Sequence, residues 1–169
     1  MTDTDSISVT AKALVGELIA AGQWLSVAES CTGGWIAKSL TDISGSSQCF
    51  GYGVVSYSNG AKESMLGVTA DTLHAHGAVS EAVVSDMATG VLKLSGADFS
   101  VAVSGVAGPG GGTDKKPVGT VWLGWAMRTG QKMSVRAEQH HLQGDRAAIR
   151  AGTVILALQG IREMLTSGG

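Results

Sequence analysis

Three short apolar runs, residues 24–28, 50–57 and 98–104, each empty into a turn of polar or glycine residues, and helix-spaced sequence separates them. A chain built this way alternates strands with helices, because β-branched runs bounded by turn residues suit buried strands while 3.6-residue spacing suits helices. Before the first run, residues 6–21 place Val9, Ala13, Leu14, Leu18 and Ala21 at helical spacing, and Gly22 is a natural stop. After it, the turn 29–32 leads into a helix predicted from Gly33 or Gly34 to about Thr41. Residues 59–66 form a short helix capped by Ser58 or Asn59, and Ser80 caps a longer one with the stripe Val83, Met87, Val91 and Leu94, closed by Gly96.

Residues 105–112, Gly-Val-Ala-Gly-Pro-Gly-Gly-Gly, fit no regular element and read as a loop. Residues 118–127 are apolar on both alternating faces, the pattern of a central strand, and residues 128–130 turn the chain back. In the returning strand Met133, Val135 and Ala137 alternate with Lys132, Ser134, Arg136 and Glu138, which places it nearer an edge. The last helix, residues 145–165, presents Ile149, Ile155, Leu158, Ile161 and Leu165. The expected architecture is α/β: one domain over residues 1–169, a three-layer α/β/α sandwich with a mixed sheet.

Composition bounds the function. The chain has 169 residues, enough to bury a core without disulfides or a structural metal, and no apolar run approaches the roughly 20 residues of a membrane helix. The opening ten residues are polar and acidic, unlike a secretory signal, so a soluble, cytoplasmic protein without a membrane partner is expected. A net charge of -2 without a basic cluster argues against nucleic acid. Cys31 and Cys49 have the spacing of neither a zinc site nor a disulfide scaffold and are expected as free thiols. His74 and His76, two apart in an expected loop, and the adjacent His140 and His141 lack metal-ligand spacing, so no metal is expected. Trp35, Trp122 and Trp125, read as exposed, favour a homo-oligomer, with a dimer as the guess.

In α/β folds, chemistry gathers where strands hand over to loops and helix starts. At the first handover, residues 29–34, Ser30 stands free of the sheet, and the amides after it could hold a phosphate or an oxyanion; alternatively Ser30 or Thr32 only caps the helix. At the second, residues 57–62, Lys62 projects from a first helical turn near Tyr57. Lysine as a base must shed a proton at a cost of roughly 4.6 kcal/mol at neutral pH unless burial lowers its pKa; most lysines are instead solvated surface residues. At the third, Ser104 precedes the glycine loop, which matches neither the Walker nor the dinucleotide spacing. Arg146 could clamp an anion or stand exposed at its helix start. Cys31 is a rival nucleophile beside Ser30, or a small thiol packed beneath the turn.

Taken together, Ala28-Glu29-Ser30-Cys31-Thr32-Gly33-Gly34, Tyr57-Ser58-Asn59 with Lys62, Gly77-Ala78-Val79-Ser80, residues 105–112, Lys116-Pro117-Val118-Gly119-Thr120-Val121 and Gly144-Asp145-Arg146 resemble the CinA C-terminal domain family, the nicotinamide-nucleotide amidohydrolases. The resemblance spans nearly the whole chain. It implies hydrolysis of the carboxamide of nicotinamide mononucleotide to nicotinate mononucleotide and ammonia, in pyridine-nucleotide salvage, with no cofactor. It also implies Ser30 as nucleophile with Lys62 and Tyr57 completing the catalytic group. Thr32, Gly33, Gly34, Ser104, Gly110, Gly111 and Arg146 would face the substrate. Where Ser104 stands the family usually has threonine. Many members add an N-terminal pyrophosphatase domain, and this chain, starting at the amidase half, is expected to lack that reaction. A nucleotide-binding or regulatory module without catalysis is the alternative from another class.

Overall fold

The first three strands of the chain run in parallel and the last two fold back as an antiparallel pair. A computed structural model describes residues 3–167; Met1, Thr2, Gly168 and Gly169 lie outside the described residues. The order is α1 (Asp3–Ala21), β1 (Leu25–Glu29), α2 (Trp35–Thr41), a 3-10 turn (Ser46–Gln48), β2 (Phe50–Val55), α3 (Asn59–Leu66), α4 (Ala70–His76), α5 (Glu81–Ser95), β3 (Phe99–Gly105), β4 (Thr120–Thr129), β5 (Lys132–His141) and α6 (Arg146–Ser167). The five strands form one sheet in the order β2-β1-β3-β4-β5. β1 runs parallel to β2 and β3, while β3-β4 and β4-β5 are antiparallel. The mixed three-layer α/β sandwich is therefore present.

Alternation along the strands sends side chains to two cores. Phe99, Val101 and Val103 of β3, with Val121, Leu123 and Trp125 of β4, pack against α1, α2 and α6. Ala102 and Ala126 face α5 with Val83, Met87 and Val91. That second face is lined by small side chains, so α5 lies close to the sheet: Ser100 Oγ donates to Ala88 O at 2.7 Å, and a Cβ on Gly124 would stand 2.7 Å from Val84 O.

Several expectations change in detail. On α1 the buried stripe is Ile7, Thr10, Ala11, Leu14, Val15 and Leu18, whereas Val9 is 59% exposed; Leu14 and Leu18 are kept, while Ile7 and Ala11, two positions earlier, take the places expected of Val9 and Ala13. On α5, Leu92 is buried and Leu94 is exposed for the same reason. His74 and His76 lie in the last turn of α4, which Thr69 caps by accepting from the Thr72 amide, rather than in a loop. Trp125 is buried: its Nε1 donates to Ala157 O at 3.0 Å, and its indole fills the space that Gly160 of α6 leaves open. Trp35 and Trp122 are half-buried, and the exposed tryptophan is Trp24. The surface argument for a dimer from Trp125 therefore falls away. Among the described residues no helix is long and apolar enough to cross a membrane.

Candidate active site

The parallel register sets the site. Glu29 of β1 stands level with Val55 of β2, so the next residues, Ser30 and Ser56, leave the sheet side by side at the strands' carboxyl ends. Two amide bonds hold them there: Ser30 N donates to Val103 O at 3.1 Å and Ser56 N to Glu29 O at 2.8 Å. α3 starts three residues later with Ser58 as its cap, accepting from the Ala61 amide at 3.1 Å. Helical side chains lean toward their own N-terminus, so Lys62 in the first turn reaches back over the strand ends. Its Nζ lies 3.1 Å from Ser30 Oγ and donates to Ser56 O at 2.9 Å.

Lys62 is 1% exposed, unlike the solvated lysine the composition would suggest. Burial pushes its ammonium below the ordinary value of 10.5, against a smaller opposing effect from Cys31. The direction favours a free amine beside the Ser30 hydroxyl, which can then donate its proton to nitrogen. Cys31 is also buried, and burial, aided by the Glu29 charge, raises its thiol to about 11 although its own amide, Arg150 and Lys62 act the other way. A thiol that holds its proton so firmly is a poor nucleophile.

The turn after Ser30 is fixed from two sides. Gly33 and Gly34 take the left-handed φ values of 61° and 99°, so the chain folds back before α2 begins at Trp35, later than the sequence suggests. Glu29, fully buried, accepts from Thr32 Oγ1 at 2.6 Å, Ile36 N at 2.9 Å and Ala37 N at 3.0 Å. Those contacts use the first amides of α2 and the Thr32 hydroxyl. Gly33 N donates to Ser30 O. Among the described residues, the amides of Cys31, Thr32 and Gly34 donate to no other residue, that of Cys31 acting on its own thiol, and the first two directly follow Ser30.

The remaining predicted site residues divide. Arg146, the first residue of α6, donates to Gly108 O at 2.8 Å and to Tyr57 Oη at 3.1 Å, joining the glycine loop to the end of β2. Tyr57 is exposed and held by Arg146 rather than by Lys62. Gly110 and Gly111 lie exposed at the tip of the same loop. Ser104 is buried, and its hydroxyl donates to Ala78 O at 2.8 Å, tying β3 to the segment before α5. Sequence reasoning quoted Glu29 without giving it work, and it passed over Ser56 and Arg150. Arg150 sits one helical turn after Arg146, which is the signal available for it.

Fold and site together define a three-layer α/β domain with polar side chains gathered at the carboxyl ends of its parallel strands, a serine at the strand-to-helix turn and a buried lysine against it. The family profile described as "CinA C-terminal domain" matches residues 8–165, and the chain belongs to that family. It is 51% identical over 149 residues to the nicotinamide-nucleotide amidohydrolase PncC of Enterobacter agglomerans, covering 88% of this chain and 89% of that one. It is 48% identical over 160 residues to the enzyme of the same name from Escherichia coli (strain K12), covering 94% of each. Among solved structures, a competence-damaged protein (CinA) superfamily protein from Klebsiella pneumoniae superposes with a TM-score of 0.89 at 41% identity, over 95% of this chain and 98% of that chain.

Proposed function

We propose that this protein hydrolyses the carboxamide of nicotinamide mononucleotide to nicotinate mononucleotide and ammonia, as part of pyridine-nucleotide salvage. The observation that carries the reading is the 3.1 Å contact between the buried Lys62 amine and Ser30 Oγ. The names borne by the PncC relatives supply the substrate.

Ser30 Oγ bonds to the carboxamide carbon while its proton passes to the free amine of Lys62, and the carbonyl oxygen becomes an oxyanion. The Cys31 and Thr32 amides receive that charge. The Lys62 ammonium then protonates the departing nitrogen, the C–N bond breaks and ammonia leaves an ester on Ser30. Water attacks the ester, one of its protons goes to Lys62 and on to Ser30 as the C–O bond to Ser30 breaks, and the released carboxylic acid gives its remaining proton to solvent or ammonia to become the nicotinate carboxylate. Direct transfer suits the geometry, with Tyr57, held by Arg146, orienting substrate at the mouth. Arg146 and the amides of the loop around Gly110 and Gly111 take the phosphate, while Ser104 supports the cleft wall through Ala78. Thr32, Gly33 and Gly34 shape the turn rather than present side chains.

Ammonia release from nicotinamide mononucleotide by the purified protein tests the reading. We expect Ser30→Ala to lower the rate by about three orders of magnitude or more while nucleotide affinity stays within a few-fold, and Cys31→Ser to keep most of the activity. Binding without ammonia release in the wild-type protein would make this a nucleotide-binding module instead, and loss of activity only in Cys31→Ser would move the chemistry to the thiol.

A further inference from the structure

The guanidinium of Arg150 reaches from α6 to the outer side of the nucleophile turn, where Nε donates to Cys31 O at 3.1 Å and one Nη to Thr32 O at 2.8 Å. Its carbon also lies 5.5 Å from the centroid of the Trp35 ring. Two successive carbonyls thus point the same way, toward α6. The peptide bonds that carry them are trans: among the described residues the cis bond is Gly108-Pro109. In a trans peptide the N–H points opposite to the C=O. The Thr32 and Gly33 amides are therefore turned to the inner side, and Gly33 demonstrates it by donating to Ser30 O at 3.0 Å. The Thr32 amide shares that orientation and stays uncommitted.

Thr32 O also accepts from the Trp35 amide at 3.2 Å, but among the described residues Cys31 O meets no donor other than Arg150; without it, a flip of the Cys31-Thr32 peptide would aim a carbonyl oxygen where the oxyanion forms. On the outer side the turn faces an open hollow lined by Thr4, Trp35, Lys38 and Arg150. Lys38 is occupied by Asp42, and Arg150 is the side chain that donates to the two carbonyls. Glu29 holds the turn from below through the Thr32 hydroxyl but bonds neither carbonyl.

We infer that Arg150 is a positioning residue for the oxyanion site: it acts through the peptide bonds of Cys31 and Thr32, aiming the Thr32 amide at the reacting carbonyl without touching substrate. The inference deepens the reading of Ser30 as nucleophile and rests on it. Arg150→Lys keeps the charge but replaces a fixed fork by a single flexible donor centre, and Arg150→Gln removes the charge.

The test pairs ammonia release with covalent capture of Ser30 by a fluorophosphonate, in which the Ser30 O–P bond forms, the P–F bond breaks, fluoride leaves and the hydroxyl proton goes to Lys62. Peptide mass spectrometry locates the adduct, and circular dichroism checks that each variant is folded. We expect both variants to lose roughly 10- to 100-fold in kcat and in capture rate, at or below the loss seen when an oxyanion donor is removed outright. KM for nicotinamide mononucleotide should stay within about threefold, because an interaction made in the transition state leaves ground-state binding alone. Capture by a folded Arg150→Lys at the wild-type rate would overturn the inference, since charge alone would then suffice. A wild-type protein that is captured at Ser30 yet releases no ammonia would sink the substrate reading only, and the ratio of capture rates would still decide the role of Arg150. No capture at Ser30 in wild type would overturn both.

Discussion

Lys62, the base of the proposed mechanism, is a side chain whose burial would favour catalysis while opposing folding. Its ammonium is pushed down by burial, so the folded chain releases the proton at a pH where the unfolded chain, at about 10.5, still holds it. Between those two values the unfolded state binds more protons, and stability therefore rises with pH; below the folded value the penalty is constant and largest, and above about 10.5 it is gone. Lys62→Met removes the penalty. We predict that its melting temperature equals or exceeds that of the wild type at neutral pH and that the gap closes as pH approaches 10.5, measured by thermal unfolding across pH. A gap that widens with pH would mean that the folded protein holds the Lys62 proton more tightly than the unfolded chain.

At the scale of elements, the position of Lys62 depends on how closely α3 meets α5. Gly90 of α5 lies under the end of α3, where an added Cβ would stand 2.0 Å from Leu66 O. Backbone cannot yield as a flexible side chain can, so Gly90→Ala must displace α3, and overpacking of this kind costs about 1–3 kcal/mol. We expect the variant to unfold at lower urea concentration and to lose ammonia release beyond what the stability loss explains, because α3 carries the proposed base. Element types were readable because period and caps agree: Ser58 and Ser80 do cap α3 and α5, and Gly96 ends α5 in a left-handed conformation. The faces were less readable. Val9 and Leu94 belong to apolar stripes by composition yet point to solvent, because which neighbouring column of a helix meets the sheet is decided by the crossing of the two, not by the helix sequence. The short helix α4 escaped because seven residues ending in His74-Ala75-His76 show too little apolar periodicity.

At the scale of the whole molecule, the site exists because β1, β2, α3 and α6 deliver Ser30, Ser56, Lys62, Arg146 and Arg150 to one end of the sheet. The motif residues were legible one at a time, since each sits at a strand-to-loop handover where an α/β sheet exposes its chemistry. Their partners were not, because Lys62 and Ser30 are 32 positions apart and Arg150 and Cys31 are 119 apart, and only strand register and helix crossing join them. Trp125 carried the opposite lesson: an aromatic in an apolar strand looked available for a partner chain, and the gap left by Gly160 turned it inward. What the assembled site claims is a base that works uncharged. The most direct measurement is kcat/KM for ammonia release from nicotinamide mononucleotide as a function of pH, in wild type and in Lys62→Arg. The account predicts a rate that climbs with pH to a plateau through an ionisation below the ordinary lysine value, and a variant slowed at least about 100-fold without that limb. A Lys62→Arg protein that keeps both the rate and the limb would contradict it.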